Sequence, residues 1–256
     1  MYVDWGVELG PDDAALELPW SSEDGACRYL DIRSDPSLID QIAEANAYPE
    51  LRALLLRLNA PDSELQSAKC DAWLTQEINP EEELFNATWK LGSYVDLLFG
   101  RSDFRDDLNR HESCARRFTS LLSRAPDCSA SAEIIVRRCY YQAGLAAPAH
   151  RVGRNRLPAL DNAALDNAAP CSHFPSPGKL SRHSSKHLER IAKSGQSRKG
   201  KQLQTGSPVA FKECIGLYFT VYISGFGRSA WEARQHWSNG CELVKDALLQ
   251  TLAAVR

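Results

Sequence analysis

Apolar and polar residues alternate near the start of the chain, and this alternation predicts short β-strands. Residues 3–9 place apolar side chains at every second position, which is the pattern of a half-buried strand. Residues 10–13 (Gly-Pro-Asp-Asp) predict a tight turn, after which residues 15–18 are expected to return as the partner strand. A third short strand is expected over residues 27–32.

The spacing then becomes helical. Asp35 is placed to cap a short helix, with Pro36 at the first helical position. Pro49 disfavours the α conformation at Tyr48 and begins a second short helix, whose apolar residues recur at intervals of three and four up to Leu58. We therefore expect two short helices after the N-terminal strands.

From residue 63 onward the pattern is regular enough to predict a fold class. Strands are expected at 68–75, 89–99, 133–141 and 216–224, with helices over about 103–123 and from Ser229 onward. Ser229 and Glu232 form a capping box at the start of the last helix. This ββα–ββα order predicts an α+β two-layer sandwich, with both helices on one face of a four-stranded antiparallel sheet.

Composition changes sharply over residues 142–214, which are rich in Ala, Pro, Ser, Gly and basic residues. Between 151 and 205 there are 11 Lys and Arg against 3 Asp and Glu, whereas the remaining chain holds 19 basic and 30 acidic residues. We interpret 142–214 as a basic, low-complexity, disordered insert in a hairpin loop of an acidic body. The body comprises 63–141 and 215–256, and the N-terminal segment 1–62 is expected to pack on it.

The expected compartment is the cytoplasm. The apolar runs are far shorter than the ~20 residues that span a bilayer, and the first residues lack the features of a secretory signal, so we expect no membrane contact. The eight cysteines are spaced irregularly and include no Cys-x-x-Cys motif. We therefore expect buried free thiols rather than disulfides.

The sequence does not predict a metal site or a cofactor site. Cys171, His173, His183 and His187 are weak zinc-ligand candidates, but their order and spacing match no known zinc module and their context is low in complexity. The glycines and Arg228 of residues 225–229 could hold a phosphate at a helix N-terminus, but the longer glycine signature is missing and we favour a turn between a strand and a helix. We expect no cofactor.

Catalytic candidates are equally sparse. Cys70 could act as a nucleophile with His111 or His236 as base, but Cys70 and Asp71 point to opposite faces of a strand and cannot act together directly. Cys70 also shares an apolar face, which favours an unreactive thiol. The sequence therefore favours a protein that is not an enzyme and leaves an enzyme as the alternative.

Three hypotheses of function remain. The first is a non-catalytic cytosolic protein that binds another protein through its sheet or its acidic loop; the candidate binding residues are Asp71, Trp73, Glu77, Arg137 and Arg138. The second is an enzyme acting on a small molecule, with a polar site on the sheet near Lys69, Asp71, Glu77 and Arg137. The third is nucleic-acid contact through the basic insert.

Overall fold

The alternating segments form one mixed, six-stranded sheet in the computed structural model, which describes residues 1–79, 82, 85–141 and 214–253. Short 3-10 helices span Pro36–Gln41 and Ser102–Phe104. The strands are β1 Tyr2–Glu8, β2 Ala15–Leu18, β3 Leu65–Thr75, β4 Trp89–Phe99, β5 Ala130–Tyr141 and β6 Cys214–Gly227. The helices are α1 Ala43–Ala47, α2 Pro49–Leu58, α3 Leu108–Leu122 and α4 Ala230–Ala253.

The order of strands is β1-β5-β6-β4-β3, with β2 also paired to β5. The pairs β5–β6, β6–β4 and β4–β3 are antiparallel, whereas β1 and β2 run parallel to β5. The mixed α+β class is confirmed. The predicted four-stranded antiparallel sheet is not, because β1 and β2 extend the sheet and make it mixed.

β1 and β2 occupy the same edge of the sheet, one after the other. β1 pairs with the first half of β5 and β2 with its last four residues, so the chain between them does not reverse direction. Arg138 holds this connection by donating hydrogen bonds to the carbonyl oxygens of Leu9 and Gly10. The predicted hairpin of residues 3–18 is therefore wrong. The strand expected at 27–32 is also absent from this described region, where a single bridge joins Ser21 to Arg28.

Helices α3 and α4 cover one face of the sheet, and the main core lies between these two layers. Gly225 allows the close approach of α4, because a Cβ atom at this position would lie 2.1 Å from the backbone nitrogen of Trp237. Trp237 itself is fully buried and donates a hydrogen bond to Ser93 of β4 over 2.8 Å. Half of the predicted capping box is present at the start of α4, because Glu232 N–H donates to Ser229 Oγ. The Glu232 carboxylate accepts from Arg228 N–H, one residue before the capping Ser229.

The N-terminal segment contributes a capped 3-10 helix and part of a second hydrophobic cluster. Asp35 caps a helix as predicted, accepting a hydrogen bond from Ser37 N–H, but that helix is of the 3-10 type. On the face of the sheet opposite to the helices, a second, smaller cluster buries Leu16, Leu18, Ala68, Leu98, Cys139, Tyr141 and Tyr218, with Trp20 and Tyr29 packed against it. This cluster covers one end of that face.

Candidate binding face of the sheet

The centre of the sheet face opposite to the helices carries polar and aromatic side chains. We call this surface the open face. It consists of Lys69, Asp71 and Trp73 on β3, Tyr94 and Asp96 on β4, Thr220 and Tyr222 on β6, and Arg137 on β5. Strand pairing brings them side by side, since Asp71 lies opposite Tyr94, and Tyr94 lies opposite Tyr222. All but Asp96 and Thr220 are partly exposed.

Two covered regions bound the open face. At one end the indole of Trp20 donates a hydrogen bond to the Ala68 carbonyl over 2.7 Å, and Lys69 Nζ lies 5.2 Å from the centre of that ring. At the other end Phe85 stacks on Phe226, with ring centroids 4.2 Å apart. The open face is therefore a strip of sheet that crosses the strands between two flanking segments.

A hydrogen-bonded network runs across the floor of this strip. Arg137 donates to Glu8 of β1 from two of its nitrogens, over 2.7 and 2.8 Å. Its Nη1 also donates to Thr220 Oγ1 and to the Tyr222 hydroxyl, over 3.1 and 3.0 Å. Thr220 in turn donates to Asp96 Oδ1 over 2.7 Å. Four strands thus contribute to one connected set of polar groups, which holds their side chains in fixed positions.

Asp96 is the deepest ionisable group of the open face, with 5% of its surface exposed. Burial raises the pKa of Asp96 from 3.8 to about 6, although the hydrogen bond from Thr220 and the charges of Lys69 and Arg137 oppose this rise. Removal from water disfavours the charged form of a carboxyl group. Burial also raises the pKa of Asp71, which Lys69 opposes. For both carboxylates, the cations nearby offset only part of the cost of removing the charge from water.

A row of aromatic rings lies beside this network. Trp73 and Tyr94 have ring centroids 6.4 Å apart, and Tyr94 and Tyr222 have centroids 6.0 Å apart. Gly92 accommodates the indole of Trp73, because a Cβ atom there would lie 2.8 Å from a ring carbon. The row continues to Arg137, whose guanidinium carbon is 5.7 Å from the centre of the Tyr222 ring.

The open face contains four of the residues expected from sequence: Lys69, Asp71, Trp73 and Arg137. Glu77 lies beyond the end of β3, in an exposed loop where its N–H donates to Thr75 Oγ1. Arg138 follows Arg137 directly and so points to the other side of β5, toward the β1–β2 connection. The structure therefore separates Glu77 and Arg138 from the other candidates.

The candidate catalytic residues are engaged in packing. Burial raises the pKa of the Cys70 thiol well above its ordinary value, which disfavours the nucleophilic thiolate. His111 is fully buried, with its ring 4.8 Å from that of Phe99 and its Nδ1 2.8 Å from the Asp107 carbonyl oxygen. His236 Nδ1 lies 2.5 Å from the Phe226 carbonyl oxygen.

The structure describes most of the cysteines but none of the candidate metal ligands. Cys70, Cys114, Cys128, Cys139 and Cys241 are free, as expected. Cys27 is disulfide-bonded, so the expectation of a free thiol is wrong there. Cys171, His173, His183 and His187 lie outside the described residues. Within the described residues no group of three or more His, Cys, Asp or Glu side chains is arranged to hold a metal ion.

Tyr94, Asp96, Thr220 and Tyr222 are the members of the open face that sequence reasoning missed. The signal for them was the alternation within the two central strands, where these residues alternate with Val95, Leu97, Phe219 and Val221. In a strand with one face in the core, the intervening side chains must point to the opposite face. Polar and aromatic residues at those positions mark that face as the candidate site.

Comparison with protein-family models, with curated proteins and with solved structures finds no match to this chain. Among the described residues, no helix is both long and apolar enough to cross a bilayer.

Proposed function

We propose that this protein is a non-catalytic binding protein whose open face engages another macromolecule. The observation that carries the proposal is the row of Trp73, Tyr94 and Tyr222 on a rigid sheet, beside a polar network that spans four strands. Aromatic rings with partial exposure and fixed neighbours are the kind of group that supplies most of the energy at protein interfaces. A binding surface on strands also loses little entropy on association.

Affinity capture with matched variants tests this proposal. Trp73→Ala removes one ring of the row, whereas Trp231→Ala removes an indole of 70% exposure at the start of α4, away from the open face. We expect a partner that is captured by the wild-type protein and by Trp231→Ala, and is lost with Trp73→Ala. Thermal unfolding of both variants checks that they are folded. Equal retention of every captured partner by the two variants would count against the open face as the binding surface.

A second function, catalysis on a small molecule, is favoured by one observation. Asp96 combines burial with a pKa raised to about 6, and such a group can accept or donate a proton near neutral pH. Lys69, Asp71 and Arg137 would then position the substrate, and Glu77 would have no direct part. The test is a panel of hydrolase and transferase substrates: turnover by the wild-type protein that Asp96→Asn abolishes would replace the non-catalytic proposal with this one.

The remaining expectations stay predictions. Nucleic-acid contact through residues 142–214 concerns a segment outside the described residues. Cytoplasmic localisation is also untested, and the disulfide at Cys27 weighs against it because disulfides persist chiefly in oxidising compartments.

A further inference from the structure

We infer that the partner presents a cationic segment, whose arginine or lysine side chains pack on Trp73 and Tyr94 and pair with Asp71. This inference rests on the proposed binding function and adds the chemistry of the partner to it. It is carried by the charge of the open face, by the arrangement of its rings and carboxylates, and by a similar arrangement that the protein already contains.

The first step is the charge of the surface. The whole sheet face opposite to the helices, from β3 to β1, carries five carboxylates and three basic groups on its described strands: Asp4, Glu8, Asp71, Asp96 and Glu133 against Lys69, Lys90 and Arg137. Arg137 is paired with Glu8, and Lys90 with Glu82. Outside residues 151–205 the chain also holds 30 acidic and 19 basic residues. The potential of this surface favours a cationic partner and opposes a polyanion.

The second step is the internal example at one end of the aromatic row. The Arg137 guanidinium donates to the Tyr222 hydroxyl over 3.0 Å, with its carbon 5.7 Å from the ring centre, and pairs with the Glu8 carboxylate over 2.7 Å. This unit combines a tyrosine, a guanidinium and a carboxylate. Arginine is suited to it because its fork of donors can bind a phenol oxygen and a carboxylate at the same time.

The third step is the repetition of this unit at the other end of the row. Asp71 is the direct cross-strand neighbour of Tyr94, and Trp73 lies two residues further along β3 on the same face. Cross-strand neighbours on one face have Cβ atoms ~5 Å apart, so one cation can contact both a ring and a carboxylate. Burial raises the pKa of Asp71, and a cation bound there would lower it. The partner supplies the cation that completes this second unit.

The test uses the full chain and fluorescence anisotropy with a labelled oligoarginine peptide. An oligoglutamate peptide of equal length and single-stranded oligothymidylate serve as the other probes. We expect the wild-type protein to bind oligoarginine more tightly than either of the other probes. Its affinity for oligoarginine should fall as salt is added, because salt screens the attraction between charges. Tighter binding of oligothymidylate that Tyr94→Thr weakens would overturn the inference and indicate that the open face binds nucleic acid.

Matched variants separate a specific site from general attraction by an acidic protein. Tyr94→Thr removes a ring and keeps a residue that suits a strand, and we expect it to weaken binding about two- to thirtyfold. Asp71→Asn is isosteric and is expected to weaken binding up to about fivefold. Asp246→Asn makes the same change of charge at an exposed position of α4 and should leave the affinity unchanged.

The outcomes also distinguish this inference from the proposed function. Equal weakening by Asp71→Asn and Asp246→Asn would show attraction without a site and would overturn the inference. If Trp73→Ala abolishes capture of a partner while oligoarginine does not bind, the open face remains the binding surface and the cationic partner is refuted. If oligoarginine binds and the open-face variants have no effect on it, the inference fails at this site.

Discussion

Asp96 offers the sharpest test of the electrostatics of the open face. The perturbation is Asp96→Asn, which keeps the shape of the side chain and an oxygen that can accept the hydrogen bond from Thr220. Since the substitution removes a charge that the folded protein buries, we expect the variant to be more stable than the wild-type protein at neutral and alkaline pH. Most substitutions of buried residues destabilise a protein, so the expected sign is unusual.

The magnitude follows from the two pKa values of Asp96. Its pKa is about 6 in the folded protein and 3.8 is its ordinary value, so the folded state binds the proton more tightly than the unfolded state. Above both pKa values, ionisation of Asp96 costs the folded state about 3 kcal/mol. As pH falls through the folded pKa this cost declines, and it vanishes below the unfolded pKa, where both states are protonated. The advantage of Asp96→Asn should therefore be about 3 kcal/mol near pH 8 and close to zero near pH 3.5.

The assay is chemical denaturation of both proteins at several pH values. The difference between the two unfolding free energies is the quantity of interest, because every other titrating group contributes equally to both proteins and cancels. Asp4→Asn, at an exposed position on the β1 edge, serves as the control for the loss of a carboxylate. An Asp96→Asn variant that is less stable than the wild type at pH 8, or a difference that does not change with pH, would show that the buried charge of Asp96 does not destabilise the folded protein.

Three further predictions concern packing, pH and redox state. Gly225→Ala should destabilise the protein by about 3 kcal/mol or more in denaturant titration, because its Cβ would collide with the backbone of α4, whereas Gly6→Ala, whose Cβ meets no atom within 4 Å, should have a small effect. Burial lowers the pKa of His111 below its ordinary 6.5, so its contribution to stability should be lost as pH falls through 6.5, and NMR titration should show a neutral ring below that pH. Alkylation in denaturant should modify Cys27 only after reduction, and the free Cys70 without it.

Each of these predictions has a clear contrary result. Equal stability of the two glycine variants would mean that α4 does not lie as close to β6 as described. Protonation of the His111 ring at or above pH 6.5 would show that the ring is not buried between aromatic side chains. Alkylation of Cys27 without prior reduction would contradict the disulfide.

Local patterns were sufficient to predict the strands and helices that pack around the main core. The alternation in β4 and β6 and the cap that Ser229 provides to Glu232 N–H each depend on residues close in sequence, and the structure contains them. The pairing of β1 with β5 could not be predicted in this way. It joins Glu8 to Arg137, which are 129 residues apart, and no short-range signal specifies a parallel partner at that distance.

Part of the candidate site could also be predicted from local patterns. Lys69, Asp71 and Trp73 share a face because strand residues two apart always do, and this much is a property of the sequence alone. The same rule separates Arg137 from Arg138, and it would have found Tyr94 and Asp96 had it been applied to β4. What no local rule supplies is the burial of Asp96, which depends on the neighbours that β3 and β6 bring to it.

The parallel edge strand also sets an order of events during synthesis. β1 leaves the ribosome long before β5, its partner in the sheet. Until β5 has been synthesised, Val3 and Trp5 lack the core residues against which they pack in the folded protein. Contacts between residues so distant in sequence slow folding, and an unpaired apolar strand is prone to pair with other chains. The early segment of a nascent chain should therefore be a target for chaperones until the second half of the protein has been made.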